Sequence, residues 1–263
     1  MKAVRRALIA LCVTALVLAP LAYAAPRNKT WQYTALGDSL AVGAIALRGY
    51  VPRYQQYIQT DTGFSVSLRN LAQNGWTSAD LLSALNSDEN FRSSVQTSQV
   101  ITWDIGGNDL RHARESYKNG TCGGTDNQDC LRATLDAFVN NWNGIVLQIL
   151  SIRSSTNTII RTMDLYNPFV NEDLASDTDG DGTSDFWTLK PYHDAVNNHI
   201  RTSASANGIP WANVHDAFNG ADGLQDPQDK GYIAFDGVHP NDTGHKVIAD
   251  QLRLLRYAPL STR

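Results

Sequence analysis

Five short apolar runs alternate with longer stretches of helical periodicity, and this alternation leaves the sequence few architectures. The runs are Trp31-Gln32-Tyr33-Thr34-Ala35-Leu36 and residues 65–72, 100–105, 158–163 and 209–214. Each has the length of a strand and leads into turn residues and then a helix. Residues 41–58 mix apolar and aromatic positions, broken at Gly49 and Pro52, and read as a helix, a turn and a second short helix. Thr77 or Ser78 caps the next helix, with Asp80 in its first turn. Residues 131–152 make one long helix, with apolar positions at Leu135, Phe138, Val139, Trp142, Ile145, Val146 and Ile149. A further helix over 189–206 stops at Asn207-Gly208, and Asn241 or Asp242 caps a last one running through 247–252. The polar stretch 111–130 reads as an insertion. Together these elements predict a single three-layer α/β/α sandwich around a mostly parallel five-stranded sheet, with ligands outside the carboxyl ends of the strands.

The first 24 residues stand apart from this domain. Lys2, Arg5 and Arg6 precede an apolar run over 7–18, and Ala22-Tyr23-Ala24 supplies the small residues of a cleavage site. A membrane anchor needs about 20 apolar residues, so residues 1–24 read as a secretory signal and 25–263 as the mature domain. Leu11 before Cys12 does not suit a lipid-anchored cysteine. With 22 basic and 26 acidic residues overall, and three of the basic ones in the leader, the mature domain is acidic. That argues against nucleic acid or an anionic membrane as a partner, and no later stretch is apolar enough to insert stably in a bilayer. Cys122 and Cys130 are the cysteines left after the leader, and export favours a local disulfide between them, worth roughly 2–3 kcal/mol through loop closure.

Four polar sites fall at strand ends: Ser39, Gly75, Asn108, and the pair Asp236 and His239 before the last helix. In a parallel sheet these loops open on one edge, so the four can converge. Each has a role in acyl transfer. Ser39 would attack an ester carbonyl, and His239 would take its proton and return it to the leaving alcohol. Asp236, three residues before the histidine, can hold its other ring nitrogen. The Ser39 and Gly75 N–H groups and the Asn108 amide would face the oxyanion. Asp104, in an apolar strand, needs either a place at the strand end or a partner.

Gly37-Asp38-Ser39-Leu40, Gly75, Gly106-Gly107-Asn108-Asp109 and Asp236-Gly237-Val238-His239-Pro240 resemble the four blocks of the SGNH, or GDSL, hydrolase family. The resemblance spans about residues 30–255 in the family's order. It implies a flavodoxin-like sandwich, esterase, lipase, thioesterase or carbohydrate deacetylase activity, and no cofactor for the chemistry. An α/β-hydrolase nucleophile would instead sit in Gly-x-Ser-x-Gly, whereas here Ala41 stands two residues after Ser39.

A second chemical signal is the run Asp177-Thr178-Asp179-Gly180-Asp181-Gly182-Thr183-Ser184-Asp185. Asp177, Asp179, Asp181 and Asp185, with the Thr183 carbonyl, match the first part of an EF-hand loop and suit a structural calcium ion. The run resembles the calcium loops of dockerin and thrombospondin type 3 repeats. Thr188 stands where a bidentate Glu normally closes the shell, so a further ligand or water must complete it. His112, His193, His199, His215 and His245 read as surface or capping residues, and Trp76 and Phe169 as candidate walls of an acyl pocket. The expected protein is a secreted serine esterase or lipase acting on small-molecule, lipid or sugar esters. The alternatives are a carbohydrate acetyl esterase of the same fold and a non-catalytic, calcium-stabilised binding domain. The sequence carries no signal of oligomeric state.

Overall fold

Alternation within the strands fixes the layering. In the computed structural model, which describes residues 30–260, strand β1 (Thr30–Gly37) sends Tyr33 and Ala35 into one core and Leu36 into the other. After α1 (Ser39–Val42) and α2 (Tyr50–Thr62) comes β2 (Ser65–Asn70), followed by α3 (Ser78–Ser87) and α4 (Glu89–Thr97). Strand β3 (Val100–Asp104) leads into α5 (Gly107–Lys118) and α6 (Asp129–Ile152), and β4 (Ile159–Met163) into α7 (Val170–Leu174) and α8 (Asp185–Ala206). The last elements are β5 (Trp211–Ala212), α9 (Val214–Asn219) and α10 (Asp242–Leu254). The strands pair in the order β2-β1-β3-β4-β5, and every pairing is parallel.

One face of this sheet packs Tyr33, Val100 and Ile159 against Tyr50, Tyr54, Ile58, Ile248 and Leu252 of α2 and α10. The other face packs Ile101, Trp103 and Ile160 against α3, α4, α6 and α8, through Leu81, Phe91, Phe138, Trp142 and Ile200. The predicted three-layer sandwich is therefore the observed fold, with a sheet that is wholly parallel. Among the described residues no helix is long and apolar enough to cross a membrane. The expected leader, residues 1–24, lies outside the described residues.

Three local expectations need correction. Residues 111–118 are not part of an insertion but continue helix α5, whose Ala113 and Tyr117 are buried one turn apart while Arg111, His112 and Glu115 cover its outer face. The charges on that face obscured the period. Only the turn between α5 and α6 is irregular, and the Cys122–Cys130 disulfide closes it against Tyr117 and Leu131. The strand expected over 209–214 stops at Ala212, because Asn213 turns its side-chain oxygen to the Asp216 N–H (3.2 Å) and starts α9. Helix α8 starts four residues before the expected position, at Asp185, and carries Pro191 in its interior.

Candidate active site

The nucleophile candidate is placed by its neighbour. Asp38 is the N-cap of α1, its Oδ1 accepting the Leu40 N–H at 2.9 Å, which sets Ser39 as the first helical residue at the end of β1. Ser39 Oγ lies 2.8 Å from His239 Nε2, and His239 Nδ1 lies 2.5 Å from Asp236 Oδ2. Asp236 Oδ1 also accepts the N–H groups of Val238 (3.1 Å) and His239 (3.0 Å). Burial alone would raise the Asp236 pKa, but the His239 ring and these two N–H groups hold it below the usual carboxylate range. An ionised Asp236 accepts the Nδ1 proton, which leaves the Nε2 lone pair facing the Ser39 hydroxyl. The Tyr166 hydroxyl, from the loop after β4, donates to the Val238 carbonyl (2.8 Å) and steadies the same turn.

The remaining two predicted residues border the same cavity. Gly75 sits in the turn after β2 with φ +79°, a left-handed conformation that favours glycine. Asn108, at the start of α5, donates from Nδ2 to the Trp76 carbonyl (2.8 Å) and approaches Asp38 Oδ2 (3.4 Å). Its Oδ1 accepts from Arg111 at 3.3 Å, so the amide nitrogen rather than the oxygen is turned toward Asp38 and Trp76. The structure thus brings Ser39, Gly75, Asn108, Asp236 and His239 to one edge of the sheet.

Asp104 finds its partners directly behind Ser39. It is the buried last residue of β3, its Oδ1 accepts the Tyr50 hydroxyl at 2.5 Å, and its carboxyl hydrogen bonds to Asp38. Gly37 permits this approach, since a Cβ there would stand 2.8 Å from Asp104 Oδ1. Two carboxylates cannot bond without a proton between them. Asp104 Oδ2 has no donor among the described residues, so protonation of Asp104 leaves no bare carboxylate oxygen in the buried pair. Burial, reinforced by the Asp38 charge, pushes the Asp104 carboxyl well above the usual range, and burial also raises Asp38.

The cavity beside Ser39 has a volume of about 460 Å³. Leu110, Leu131, Leu165, Leu189 and Phe169 give it apolar walls. Phe169 is thus a wall as expected, held under the Arg114 guanidinium 3.9 Å from its ring centroid. Trp76 is not: it stacks on Phe91 at 5.4 Å and joins the core. Arg114 in turn pairs with the buried Asp173 at 2.6 Å, so the charge bordering the cavity is compensated. Sequence reasoning missed Leu110, Leu131 and Leu189, because they lie on three helices and meet only in the folded chain.

In the acidic loop the carboxylates of Asp177, Asp179 and Asp181 gather with oxygens within 4.8 Å of one another. Asp177 accepts the N–H groups of Gly180 (2.8 Å) and Gly182 (3.0 Å), and Asp181 accepts that of Thr183 (2.7 Å). Asp185 departs from the expected ligand set. Its side chain is buried on Lys118 Nζ (2.9 Å), Ser176 Oγ (2.6 Å) and the Thr178 N–H (2.7 Å), so it anchors the start of α8 instead. Burial would raise Asp185, but Ser176, Thr178 and Lys118 hold it well below the carboxylate range.

Residues 35–247 match the family model of the GDSL-like lipase/acylhydrolase family. The chain is 30% identical over 236 residues to a spore germination lipase, LipC, of Bacillus licheniformis, covering 88% of this chain and 99% of the relative. A lipase from a goat rumen metagenome superposes with a TM-score of 0.72 at 27% identity, covering 88% of this chain and all of that one. The acetylxylan esterase Axe2 of Geobacillus stearothermophilus shares the fold, with a TM-score of 0.60 at 17% identity over 89% of this chain and 96% of its own.

Proposed function

The chain belongs to the GDSL-like lipase/acylhydrolase family and is a carboxylic ester hydrolase, and on that premise we propose a serine mechanism centred on Ser39. Membership sets aside the non-catalytic binding domain. The observation that carries the proposal is His239, whose two ring nitrogens meet Ser39 Oγ at 2.8 Å and Asp236 at 2.5 Å. Ser39 Oγ attacks the ester carbonyl while its proton passes to His239 Nε2, and Asp236 offsets the imidazolium charge. The Ser39 and Gly75 N–H groups donate to the oxyanion, together with Asn108 Nδ2, which gives up its long 3.4 Å contact with Asp38 to do so. Collapse expels the alcohol, which takes the proton from His239. Water then repeats the sequence on the acyl-enzyme and frees the acid. Each step uses side chains and N–H groups of the chain alone, with no cofactor.

The apolar walls of the cavity favour an acyl group longer than acetyl, and the two lipase relatives are in keeping with that. A carbohydrate acetyl ester, the second reading, leaves that surface unfilled. A chain-length series of aryl esters, run beside acetylated xylan and with Ser39→Ala as control, tests both claims. The expected result is a kcat/KM that peaks above acetyl and vanishes in the variant. Turnover by Ser39→Ala refutes the nucleophile, and a maximum at acetyl refutes the acyl pocket.

The same reading makes residues 1–24 a removed leader, 25–263 a single mature domain and the compartment extracellular or periplasmic, for which the Cys122–Cys130 disulfide is support. Asp177, Asp179 and Asp181, with the Thr183 carbonyl, would hold a structural calcium ion that pins the long loop before α8.

A further inference from the structure

His193 and His215 pack against each other at the cavity wall, their rings tilted by 38°. His193 lies on α8 and borders the cavity, and His215 is the second residue of α9. Their ring centroids are 5.5 Å apart. An imidazole offers a metal its lone pair only on the nitrogen without the proton, so the hydrogen bond at the other nitrogen decides which atom is free. His215 Nδ1 lies 3.0 Å from Asp216 Oδ1, and a carboxylate can only accept there, so Nε2 keeps its lone pair. His193 Nδ1 lies 3.4 Å from the Asn197 amide nitrogen, while its Nε2 is shielded from solvent and has no partner among the described residues. A metal takes this Nε2 once its proton moves to Nδ1, which breaks only the long Asn197 contact. Asp194 adds a carboxylate, and one ligand atom from each of the three lies within 4.8 Å of the others.

We propose that His193, Asp194 and His215 form a site for a divalent transition-metal ion, zinc above others, that pins α9 to α8. Two imidazoles and one carboxylate are a zinc donor set, with bonds of about 2.0–2.2 Å, so the three ligand atoms, which now lie within 4.8 Å of one another, draw together around the ion. Asp216 supplies the carboxylate that orients a metal-bound histidine. β5 has two residues and α9 six, and the ion would add to the hold that Asp164 has on the Val214 and His215 N–H groups (2.7 and 2.8 Å) and that Arg201 of α8 has on Asp164 (2.7 Å). Lys190 Nζ, 2.6 Å from Asp194 Oδ2, competes for the same carboxylate and must yield to the ion. The acidic loop is a different case, offering only hard oxygen ligands suited to calcium.

Zinc titration of the EDTA-stripped, untagged protein by calorimetry, with melting followed in parallel, tests the site. One equivalent should bind and raise the melting temperature. His193→Gln and His215→Gln should each weaken binding by about a hundredfold or more, and Asp216→Asn by about 10–100-fold. Asp179→Ala should leave it unchanged. Lys190→Met, which leaves the ligands in place, should tighten it several-fold. No binding by the wild type, equal binding by the histidine variants, loss of binding in Asp179→Ala, or no gain in Lys190→Met would each overturn the proposal.

Discussion

Replacing Asp104 by Asn probes the carboxyl pair behind Ser39 without changing its shape. The Asn oxygen can accept from Tyr50 as Asp104 Oδ1 does, and its amide can donate to Asp38 as the shared proton does. What changes is the cost of keeping that proton. Asp104 is raised well above its ordinary value of 3.8, so above about pH 4 the folded chain holds a proton that the unfolded chain releases. Stability from this group is therefore full below pH 4 and falls with rising pH, by about 1.4 kcal/mol per pH unit, until the folded value is passed. Asp104 is 1% exposed, so solvent screening takes little from this dependence. His193, lowered by burial to about 3, and His245, lowered to about 4, push the other way, since a folded chain that excludes their protons gains stability as pH rises through 4 to 6.5. Both are common to the two proteins and cancel in the difference, whereas Asp38, raised by burial to about 6 and facing Asp104, titrates in the same window, so the difference reads the carboxyl pair. Urea unfolding at half-unit steps from pH 4.5 to 7.5 should give curves that diverge toward the alkaline end in favour of Asp104→Asn, with a limiting slope of about 1.4 kcal/mol per pH unit. Parallel curves would refute the shared proton.

The other predictions are more direct. Asn108→Ala should lower kcat by about 10²–10³ with KM within a few-fold, read by steady-state kinetics on a soluble ester; a change confined to KM contradicts its place at the oxyanion. Leu131→Trp should fill the cavity and shift the preferred ester toward shorter acyl chains, whereas a uniform loss across the series contradicts an acyl role for that wall. EDTA should lower the melting temperature of the zinc-free, calcium-loaded protein, and Asp179→Ala should remove that response. Arg114→Met leaves the buried Asp173 with only the longer Lys118 contact (3.6 Å) and should cost about 1.5–3 kcal/mol by chemical denaturation.

The layers and the catalytic edge were readable because each strand ends in a glycine or polar punctuation that local physics requires. Asp38 had to cap and Gly75 had to turn, whatever they serve. The convergence of Ser39 with His239, 200 residues apart, was not readable from either residue alone, and only the joint pattern of blocks carried it. Elsewhere tertiary context decided. Helix α5 hides its period because its outer face is crowded with charge, and Asn213 ends β5 by a side-chain bond that no apolar pattern reports. The Asp38–Asp104 pair, the cavity walls and the His193–His215 contact all join residues from separate elements, so each exists only once the chain has folded.

The central claim is that Ser39 carries the acyl group. Treating the mature protein with a fluorophosphonate, which traps serine nucleophiles activated by a neighbouring base, and mapping the adduct by peptide mass spectrometry tests it most directly. The account predicts one stoichiometric adduct on Ser39, absent in Ser39→Ala and slowed by orders of magnitude in His239→Ala. An adduct on another residue, or equal labelling of Ser39→Ala, would contradict it.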